Sequence, residues 1–235
     1  MNLVLIEPEE LVAEGRACLR GRRAAYVRAV HRTGVGDSLR VGVVDGRVGS
    51  GTIVRLGAED MELEVELDGA PPAALPVTLL LALPRPKVLA RVVQCVAAMG
   101  VKRLILLNAW RVEKSFWRSP VLEPERMRAN LLLGLEQARD TVLPAVSLQR
   151  LFKPFVEDAL PDLAAGSLAL VAHPPSAEPC PRAVPGPAVL AVGPEGGFIP
   201  YEVEALEASG FRAVSLGPRI LRVEHAVPAL LARLG

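Results

Sequence analysis

Two short apolar runs near the C-terminus each lead into a loop that is rich in glycine. Residues 189–192 run into the loop 193–198, and residues 211–214 run into the loop 215–224. In open α/β sheets, ligands bind just outside the carboxyl ends of the strands, where such loops lie. Because a single amphipathic helical segment separates the two loops, they can line one small-molecule site together.

Strand and helix patterns alternate along the chain before these loops. The run 77–83 is apolar throughout, which is typical of a strand buried on both faces. A helix pattern at 87–99 follows it, with Gly100 as the C-terminal cap. The other segments are strands at 103–107, just after 144 and at 168–172, and helices at 123–139, 201–209 and 227–234. This alternation predicts an α/β fold with a parallel sheet and right-handed crossovers.

The beginning of the chain has a different pattern, with short strands and tight turns. Its elements are a basic helix at 22–32 and strands at 39–43, 48–56 and 61–67. The dipeptide Asp45-Gly46 is a hairpin turn signal, and the stretch 70–74 reads as a linker. We therefore predict two domains. Residues 1–72 form a small β-barrel of the kind that binds RNA, and residues 73–235 form the α/β domain.

Positive charge is concentrated in the first of these domains. The whole chain has a net charge of +1, yet nine arginines lie between Arg16 and Arg55 against only Asp37 and Asp45. Such a segment indicates a polyanionic partner, although a solvated basic face would give the same pattern. The candidate RNA-binding residues are Arg16, Arg20, Arg22, Arg23, Arg28 and Arg32.

Several other classes of protein are disfavoured. The cysteines Cys18, Cys95 and Cys180 are odd in number and lack metal-ligand spacing, so we expect neither disulfides nor a metal site. We expect a reducing, cytoplasmic location for the same reason. No apolar run reaches the roughly 18 residues that a membrane span needs, and the N-terminus does not resemble a signal peptide.

The glycine loop does not match the common phosphate-binding motifs. Gly196 and Gly197 precede a predicted helix, whose free N–H groups could bind an anion. No Gly-Lys-Ser/Thr follows them, however, and a Gly-x-Gly-x-x-Gly pattern with a later acidic residue is also missing. The sequence therefore favours neither a P-loop nor a dinucleotide fingerprint.

The combination of motifs is more specific than either loop alone. The hexapeptide Gly-Pro-Glu-Gly-Gly-Phe at 193–198, followed by Ser-Leu-Gly-Pro-Arg-Ile-Leu-Arg-Val-Glu at 215–224, resembles the ribosomal RNA small-subunit uridine-N3 methyltransferases of the SPOUT superfamily. Glu-Gln-Ala-Arg at 136–139 with Pro144, and the Gly-Asp turn at 36–37, extend the resemblance. It covers essentially the whole chain, and the last third is the most specific.

This resemblance implies a fold and a cofactor. The fold is a PUA-like β-barrel followed by a SPOUT-type α/β domain whose end forms a deep trefoil knot. The cofactor is S-adenosylmethionine, which the knot loops of the family bind. Carried over to this chain, the cofactor-binding residues are Ala172, His173, Gly193, Pro194, Glu195, Gly196, Gly197, Ser215, Leu216, Gly217, Ile220 and Leu221. The family also implies a homodimer that acts on 16S ribosomal RNA, in the assembled small subunit.

Methylation of uracil N3 requires more than positioning. That nitrogen carries a proton, so the site needs a base, or a cation that stabilises the uracil anion. We predict Arg222 as the cation and Glu224 or Glu195 as the base. Two structural interpretations remain open: Glu195 could hold its loop or cap the helix at 201–209, and Arg222 could form an ion pair with Glu224.

The chain departs from the family just after Arg222. Val223-Glu224-His225-Ala226 stands where the family has Thr-Glu-Thr-Ala, so two hydroxyl groups are replaced. His225 could act as a base at neutral pH or be structural. These departures leave two alternatives to the uridine methyltransferase. One is a catalytically weak RNA-binding assembly factor that keeps the pocket, and the other is a SPOUT methyltransferase with another RNA target.

Overall fold

The computed structural model describes residues 2–31, 34–174, 176 and 178–235 and divides into two compact units. The N-terminal unit comprises Met1–Ala73 and Leu132–Leu143, and the C-terminal unit comprises Ala74–Leu131 and Pro144–Gly235. The sequence prediction placed 132–143 in the second domain. The structure places it in the first, because backbone N–H groups near the N-terminus donate to the carbonyl of Glu136.

The N-terminal unit is built on one six-stranded sheet. Its strands run in the order β1-β4-β5-β6-β3-β2, and all neighbours are antiparallel except β1 and β4. The elements are β1 (Val4–Ile6), β2 (Leu11–Ala13), β3 (Arg16–Arg20), helix α1 (Arg22–His31), β4 (Ser38–Val43), β5 (Val48–Leu56) and β6 (Asp60–Gly69). The last three strands and the helix match the predicted segments, whereas β1, β2 and β3 were not predicted individually.

Alternating apolar positions of these strands form the core of this unit. Val41, Ile53 and Leu63 are fully buried, and Ala24 and Val27 of α1 belong to the same cluster. The turn between β4 and β5 contains Asp45-Gly46, as predicted, and Asp45 adopts a positive φ of 58°. A short polar residue tolerates that conformation well, which explains its use in this tight hairpin.

The C-terminal unit is an α/β fold around a second six-stranded sheet, as the sequence predicts. The strand order is β12-β10-β11-β7-β8-β9, and every neighbouring pair is parallel. Its strands are β7 (Leu75–Ala82), β8 (Val101–Leu107), β9 (Ala145–Gln149), β10 (Leu168–Ala172), β11 (Ala188–Val192) and β12 (Arg212–Val214). Because the sheet is parallel, the carboxyl ends of all six strands lie at one edge, which brings their following loops together.

Helices follow these strands in the chain, and the last of them follows β12. They are α2 (Pro86–Ala98), α3 (Pro124–Ala138, whose residues from Leu132 onward belong to the N-terminal unit), the short α4 (Phe152–Pro154) and α5 (Leu160–Ala164), α6 (Pro200–Ala208) and α7 (Val223–Leu234). Helix α2 buries one apolar face, including Leu89 and Val93, and ends at Gly100 with a positive φ of 80°. That left-handed conformation suits glycine and ends the helix where the sequence predicts.

The last helix begins one turn earlier than predicted. Arg222 is its N-cap with an extended backbone, and α7 starts at Val223 rather than at residue 227. The helix starts earlier because Val223 and Val227 are both buried, so the apolar stripe of the helix is one turn longer than predicted. Glu224 and His225 therefore lie in the first helical turn and not in a loop.

Candidate functional site

Three loops meet at the carboxyl edge of the C-terminal sheet. They follow β10, β11 and β12, whose carboxyl ends are adjacent because β10 pairs with both of the other strands. The N–H of His173 donates to the carbonyl of Val214 at 2.9 Å, and the hydroxyl of Ser176 donates to Ala213 at 2.7 Å. The loop after β10 is thereby held against the loop after β12.

Two neighbouring cavities lie among these loops. The larger has a volume of about 330 Å³, and the smaller has about 50 Å³. Ala172, His173 and Leu221 line both. Gly193–Gly197 and Ile220 line the larger cavity, and Ser215, Leu216 and Gly217 line the smaller. All twelve residues predicted to bind the cofactor therefore border this space, and their binding of it stays a prediction.

The loop after β11 requires glycine at its first position. A Cβ on Gly193 would lie 2.8 Å from the backbone nitrogen of Phe198 and 3.1 Å from the carbonyl carbon of Gly197. The loop then closes through a hydrogen bond of 2.7 Å from Gly197 N–H to the Pro194 carbonyl, and Gly197 has a positive φ of 72°. A tight turn of this kind leaves backbone groups accessible to a ligand.

Glu195 connects this loop to the start of α2. One of its carboxylate oxygens accepts a hydrogen bond of 3.0 Å from the N–H of Arg85, the N-cap residue of that helix. This contact supports the interpretation that Glu195 holds its loop, here against the residue before α2, and no contact with the helix at 200–208 is seen among the described residues. Glu195 also lines the larger cavity, and its role as a base stays a prediction.

Sequence reasoning missed the buried Glu202. This residue is only 3% exposed, and its carboxylate accepts hydrogen bonds from Ile199 N–H at 2.9 Å and Trp110 N–H at 2.6 Å. It caps its own helix α6 and at the same time holds the loop after β8. Glu202 lies in the first turn of α6, three residues after the N-cap Ile199, and a glutamate at this position often caps a helix. The capping role of Glu202 could therefore have been predicted from the sequence.

Arg111 was also missed as a site residue. Its guanidinium donates to the carbonyl of Gly196, and its side chain lines the larger cavity. A Cβ on Gly196 would lie 2.8 Å from Cδ of Arg111. The loop after β8 is therefore part of the wall of the site, in addition to the three loops that the sequence indicated.

The alternative of an Arg222–Glu224 ion pair is not seen among the residues that the structure describes. Glu224 instead lies 3.8 Å from the guanidinium of Arg91. Arg222 is exposed, and its side chain has no hydrogen-bond or ion-pair partner among the residues that the structure describes. Arg222 itself lines neither cavity, but its neighbours Leu221 and Val223 both line the larger one, so we place its backbone at the rim of that cavity.

The basic segment of the N-terminal unit is largely engaged in internal contacts. Arg22 pairs with Glu136 at 2.7 Å, Arg23 with Glu10 at 2.7 Å, and Arg28 donates to the Gly57 carbonyl at 2.6 Å. The candidates Arg16 and Arg20 are exposed, whereas Arg32 lies outside the described residues. RNA binding by these arginines stays a prediction.

The segment 178–184 forms hydrogen bonds with the residue that follows β12 and with the end of the last helix. Ser215 N–H donates to the Glu178 carbonyl and Cys180 N–H donates to the Ser215 carbonyl, each at 2.8 Å. A few residues later, Ala183 N–H donates to the carbonyl of Arg233 at 2.9 Å. The Arg233 guanidinium donates to the backbone carbonyl of Cys180. Cys180 is 1% exposed, and burial raises the pKa of its thiol. The segment 178–184 is thereby tied to the C-terminal end of the chain.

Two further observations concern metals and membranes. Within residues 2–31, 34–174, 176 and 178–235, His, Cys, Asp and Glu side chains form no group of three that could hold a metal ion. The same part of the chain contains no helix with the length and apolar character needed to cross a bilayer.

The chain can now be compared with known proteins. A family model described as an RNA methyltransferase domain matches residues 71–235. The ribosomal RNA small subunit methyltransferase E of Treponema pallidum is 31% identical over 240 residues, which span 99% of this chain and 90% of that protein. The chain therefore belongs to the RNA methyltransferase family and, within it, to the small subunit methyltransferase E family, which confirms the resemblance found in the sequence.

Solved structures share the fold over nearly the whole chain. A methyltransferase from Legionella pneumophila, in complex with its bound cofactor SAM, is 22% identical, with a TM-score of 0.76 and coverage of 98% of this chain and 96% of that one. A ribosomal RNA small subunit methyltransferase E from Neisseria gonorrhoeae, bound to S-adenosylmethionine, is 21% identical with the same TM-score and coverage of 98% and 95%. At these identities the likeness establishes the common fold.

Proposed function

We propose that this protein transfers a methyl group from S-adenosylmethionine to N3 of a uridine in 16S ribosomal RNA. The observation that carries the proposal is the pair of cavities at the carboxyl edge of the C-terminal sheet, which all twelve predicted cofactor residues border. Membership of the small subunit methyltransferase E family supports the RNA substrate. The structural relatives that hold S-adenosylmethionine support the choice of methyl donor.

The residues that border the larger cavity suit this donor. Its volume of about 330 Å³ lies within the roughly 300–1,000 Å³ typical of small-molecule sites. Phe198, Leu221 and Val223 supply apolar walls, while backbone groups of Gly193, Leu216 and Ile220 can read the edge of an adenine ring. When bound, S-adenosylmethionine supplies an electrophilic methyl group.

Arg222 is the residue that we propose to stabilise the uracil anion. Methyl transfer needs the N3 proton to leave, and a guanidinium stabilises the uracil anion that results. Arg222 lies at the rim of the cavity, and its guanidinium is not engaged with any described residue. Glu195 and Glu224 have partners of their own, Arg85 N–H and Arg91. They remain the proposed proton acceptors, with the exposed His225 as a further candidate.

The remaining family features are part of the same proposal. The backbone contacts of segment 178–184 with Ser215 and with the end of α7 support threading of the C-terminus beneath that segment, as in a trefoil knot. We assign the N-terminal unit as the PUA-like RNA-binding domain. We also propose that the protein is a cytoplasmic homodimer and that it acts on the assembled small subunit.

Nucleoside mass spectrometry of ribosomal RNA tests the proposed function in the cell. RNA from small subunits of a strain that lacks the gene is digested to nucleosides and compared with RNA from the parent strain. We expect 3-methyluridine to be lost and to return when the gene is supplied again. Loss of a different methylated nucleoside would assign another RNA target, and an unchanged set of nucleosides would favour the assembly factor.

A further inference from the structure

The C-terminal unit exposes a tryptophan next to the proposed site. Trp110 follows β8 at the carboxyl edge of the sheet, and 79% of its surface is exposed. The other tryptophan behaves differently: Trp117 is 9% exposed, and its indole N–H donates to the side chain of Asn108 at 2.8 Å. A tryptophan combines a large apolar ring with a polar N–H group, and exposed tryptophans are enriched where partners bind.

The backbone of Trp110 is fixed on both sides of the residue. Its own N–H donates to the buried carboxylate of Glu202 at 2.6 Å. The next residue, Arg111, lines the 330 Å³ cavity and donates to the carbonyl of Gly196 in the glycine loop. Since consecutive Cα atoms are about 3.8 Å apart, the indole projects from a point directly beside the proposed methyl-donor site.

Basic side chains lie on the loops at the same edge of the sheet as this tryptophan. The loops that follow β7, β8 and β9 lie at the same edge of the sheet and carry exposed basic side chains, namely Arg85, Arg111, Lys114, Arg118 and Arg150. The guanidinium of Arg150 is placed over the ring of Trp117, 4.9 Å from its centroid. The acidic groups near these loops include the exposed Glu113, Glu195 of the loop after β11, which accepts from Arg85 N–H, and the buried Glu202, which accepts from Trp110 N–H. An exposed aromatic ring among basic groups is the chemistry that single-stranded nucleic acid prefers.

We propose that Trp110 is a stacking platform for an unpaired base of the substrate RNA beside the methylated uridine. This inference rests on the proposed function and adds an RNA-contacting residue to the C-terminal unit. A base whose N3 is to be methylated has to leave its stack, and a fixed indole can take the place of the lost neighbour. Stacking on an aromatic ring accepts any base, so Trp110 would contribute affinity without reading sequence.

Fluorescence gives a direct test, because the chain has only two tryptophans. An oligouridylate titrated into the wild-type protein should quench the emission of the exposed Trp110, and Trp110→Phe should abolish most of that change while binding persists. If the quench is the same in Trp110→Phe, the signal comes from Trp117 and the proposal is wrong. This measurement needs no methyl transfer, so it remains informative even if the proposed function fails.

Steady-state kinetics on small subunits from the gene-deletion strain provide the second test. Trp110→Ala should raise KM for the subunits about tenfold, with kcat and the affinity for S-adenosylmethionine unchanged. Trp110→Phe should restore KM, and Trp110→Leu should not, because leucine is apolar but has no ring to stack. Rescue by leucine would overturn the proposal, and so would a loss of self-association in sedimentation experiments, which would show that a second copy covers Trp110. If the wild-type protein itself transfers no methyl group to these subunits, the proposed function fails instead.

Discussion

Two groups of arginines in this molecule have opposite structural roles. In the N-terminal unit, Arg22, Arg23 and Arg28 bond to acidic side chains or backbone carbonyls of their own unit. In the C-terminal unit, Arg222 is exposed at the rim of a cavity with no partner among the described residues. A high local density of arginine therefore coincides with structural pairing in one region, while in the other an exposed arginine without a described partner follows a glycine-containing loop.

The comparison explains why charge counted along a sequence is an unreliable guide to function. The basic segment was predicted to bind RNA because few acidic residues lie near it in the sequence. The partner of Arg22 is Glu136, 114 positions away, so the neutralising charge is invisible to any local window. Substitutions in each unit test whether its arginines differ as the structure indicates.

The largest effect is expected for Arg222→Ala. Loss of a group that stabilises developing negative charge lowers kcat by roughly 100-fold or more. Binding of S-adenosylmethionine, measured by titration calorimetry, should stay within about twofold of wild type, because an exposed guanidinium at the rim supplies no wall of the cavity. The control is Arg103→Ala, which removes an exposed arginine from β8 and should change neither quantity. If cofactor binding disappears together with turnover, the role assigned to Arg222 is wrong.

A second effect, on cofactor binding, is expected for Gly193→Ala. The added Cβ would lie 2.8 Å from the Phe198 nitrogen. The backbone shift needed to remove this clash costs about 1–3 kcal/mol in stability. Because the displaced backbone belongs to the binding loop, we expect affinity for S-adenosylmethionine to fall about tenfold or more. Gly186→Ala is the matched control, since a Cβ there meets no atom within 4 Å. Equal affinities for the two variants would show that the loop does not bind the cofactor.

Glu202→Gln should have a smaller effect than the two preceding substitutions. It should lower the free energy of unfolding and loosen the two loops that Glu202 holds. An amide oxygen replaces one of the two carboxylate acceptors, so Ile199 N–H or Trp110 N–H loses its buried partner, at a cost of about 1–3 kcal/mol in the free energy of unfolding. Urea denaturation measures that loss. Glu204→Gln, on the exposed face of the same helix, should leave stability unchanged. A fully stable Glu202→Gln protein would mean that this carboxylate does not hold the two loops.

The smallest effects are expected in the N-terminal unit, where they separate exposed from paired arginines. If Arg16 and Arg20 contact phosphates, replacing both by alanine should make RNA affinity less dependent on salt, by a slope of about 1 for each lost contact. Arg23→Ala should instead lower the free energy of unfolding, because Arg23 bonds to Glu10 and to the carbonyl of Leu5. The reverse pattern, with stability unaffected and RNA binding weakened by Arg23→Ala, would contradict the comparison.

Much of the C-terminal fold could be predicted because its signals are local. A strand buried on both faces, such as β11, is apolar at every position, and the alternation with helices specifies a parallel sheet. The strands β1 and β2 are also apolar at every position, but each has only three residues. The helical turns within 152–164 are interrupted by Pro154 and Pro161, which conceal their periodicity.

The candidate site was predictable only where its residues lie in contiguous motifs. The loops 193–197 and 215–221 could be identified because they combine glycines with a family pattern. Arg111 could not, because the carbonyl that it contacts, that of Gly196, is 85 positions away. Glu202 was predictable in part. Its capping position can be recognised in the sequence, whereas its hydrogen bond with Trp110 N–H depends on the tertiary fold.

The central claim is that the loops of the C-terminal unit transfer a methyl group to uracil N3. The most direct test is to incubate small subunits from the gene-deletion strain with the purified protein and S-adenosylmethionine that carries an isotopic label in its methyl group. The RNA is then digested and its nucleosides are separated by mass spectrometry. The account predicts labelled 3-methyluridine with wild-type protein and almost none with Arg222→Ala. Label in any other nucleoside, or equal labelling by the two proteins, would contradict it.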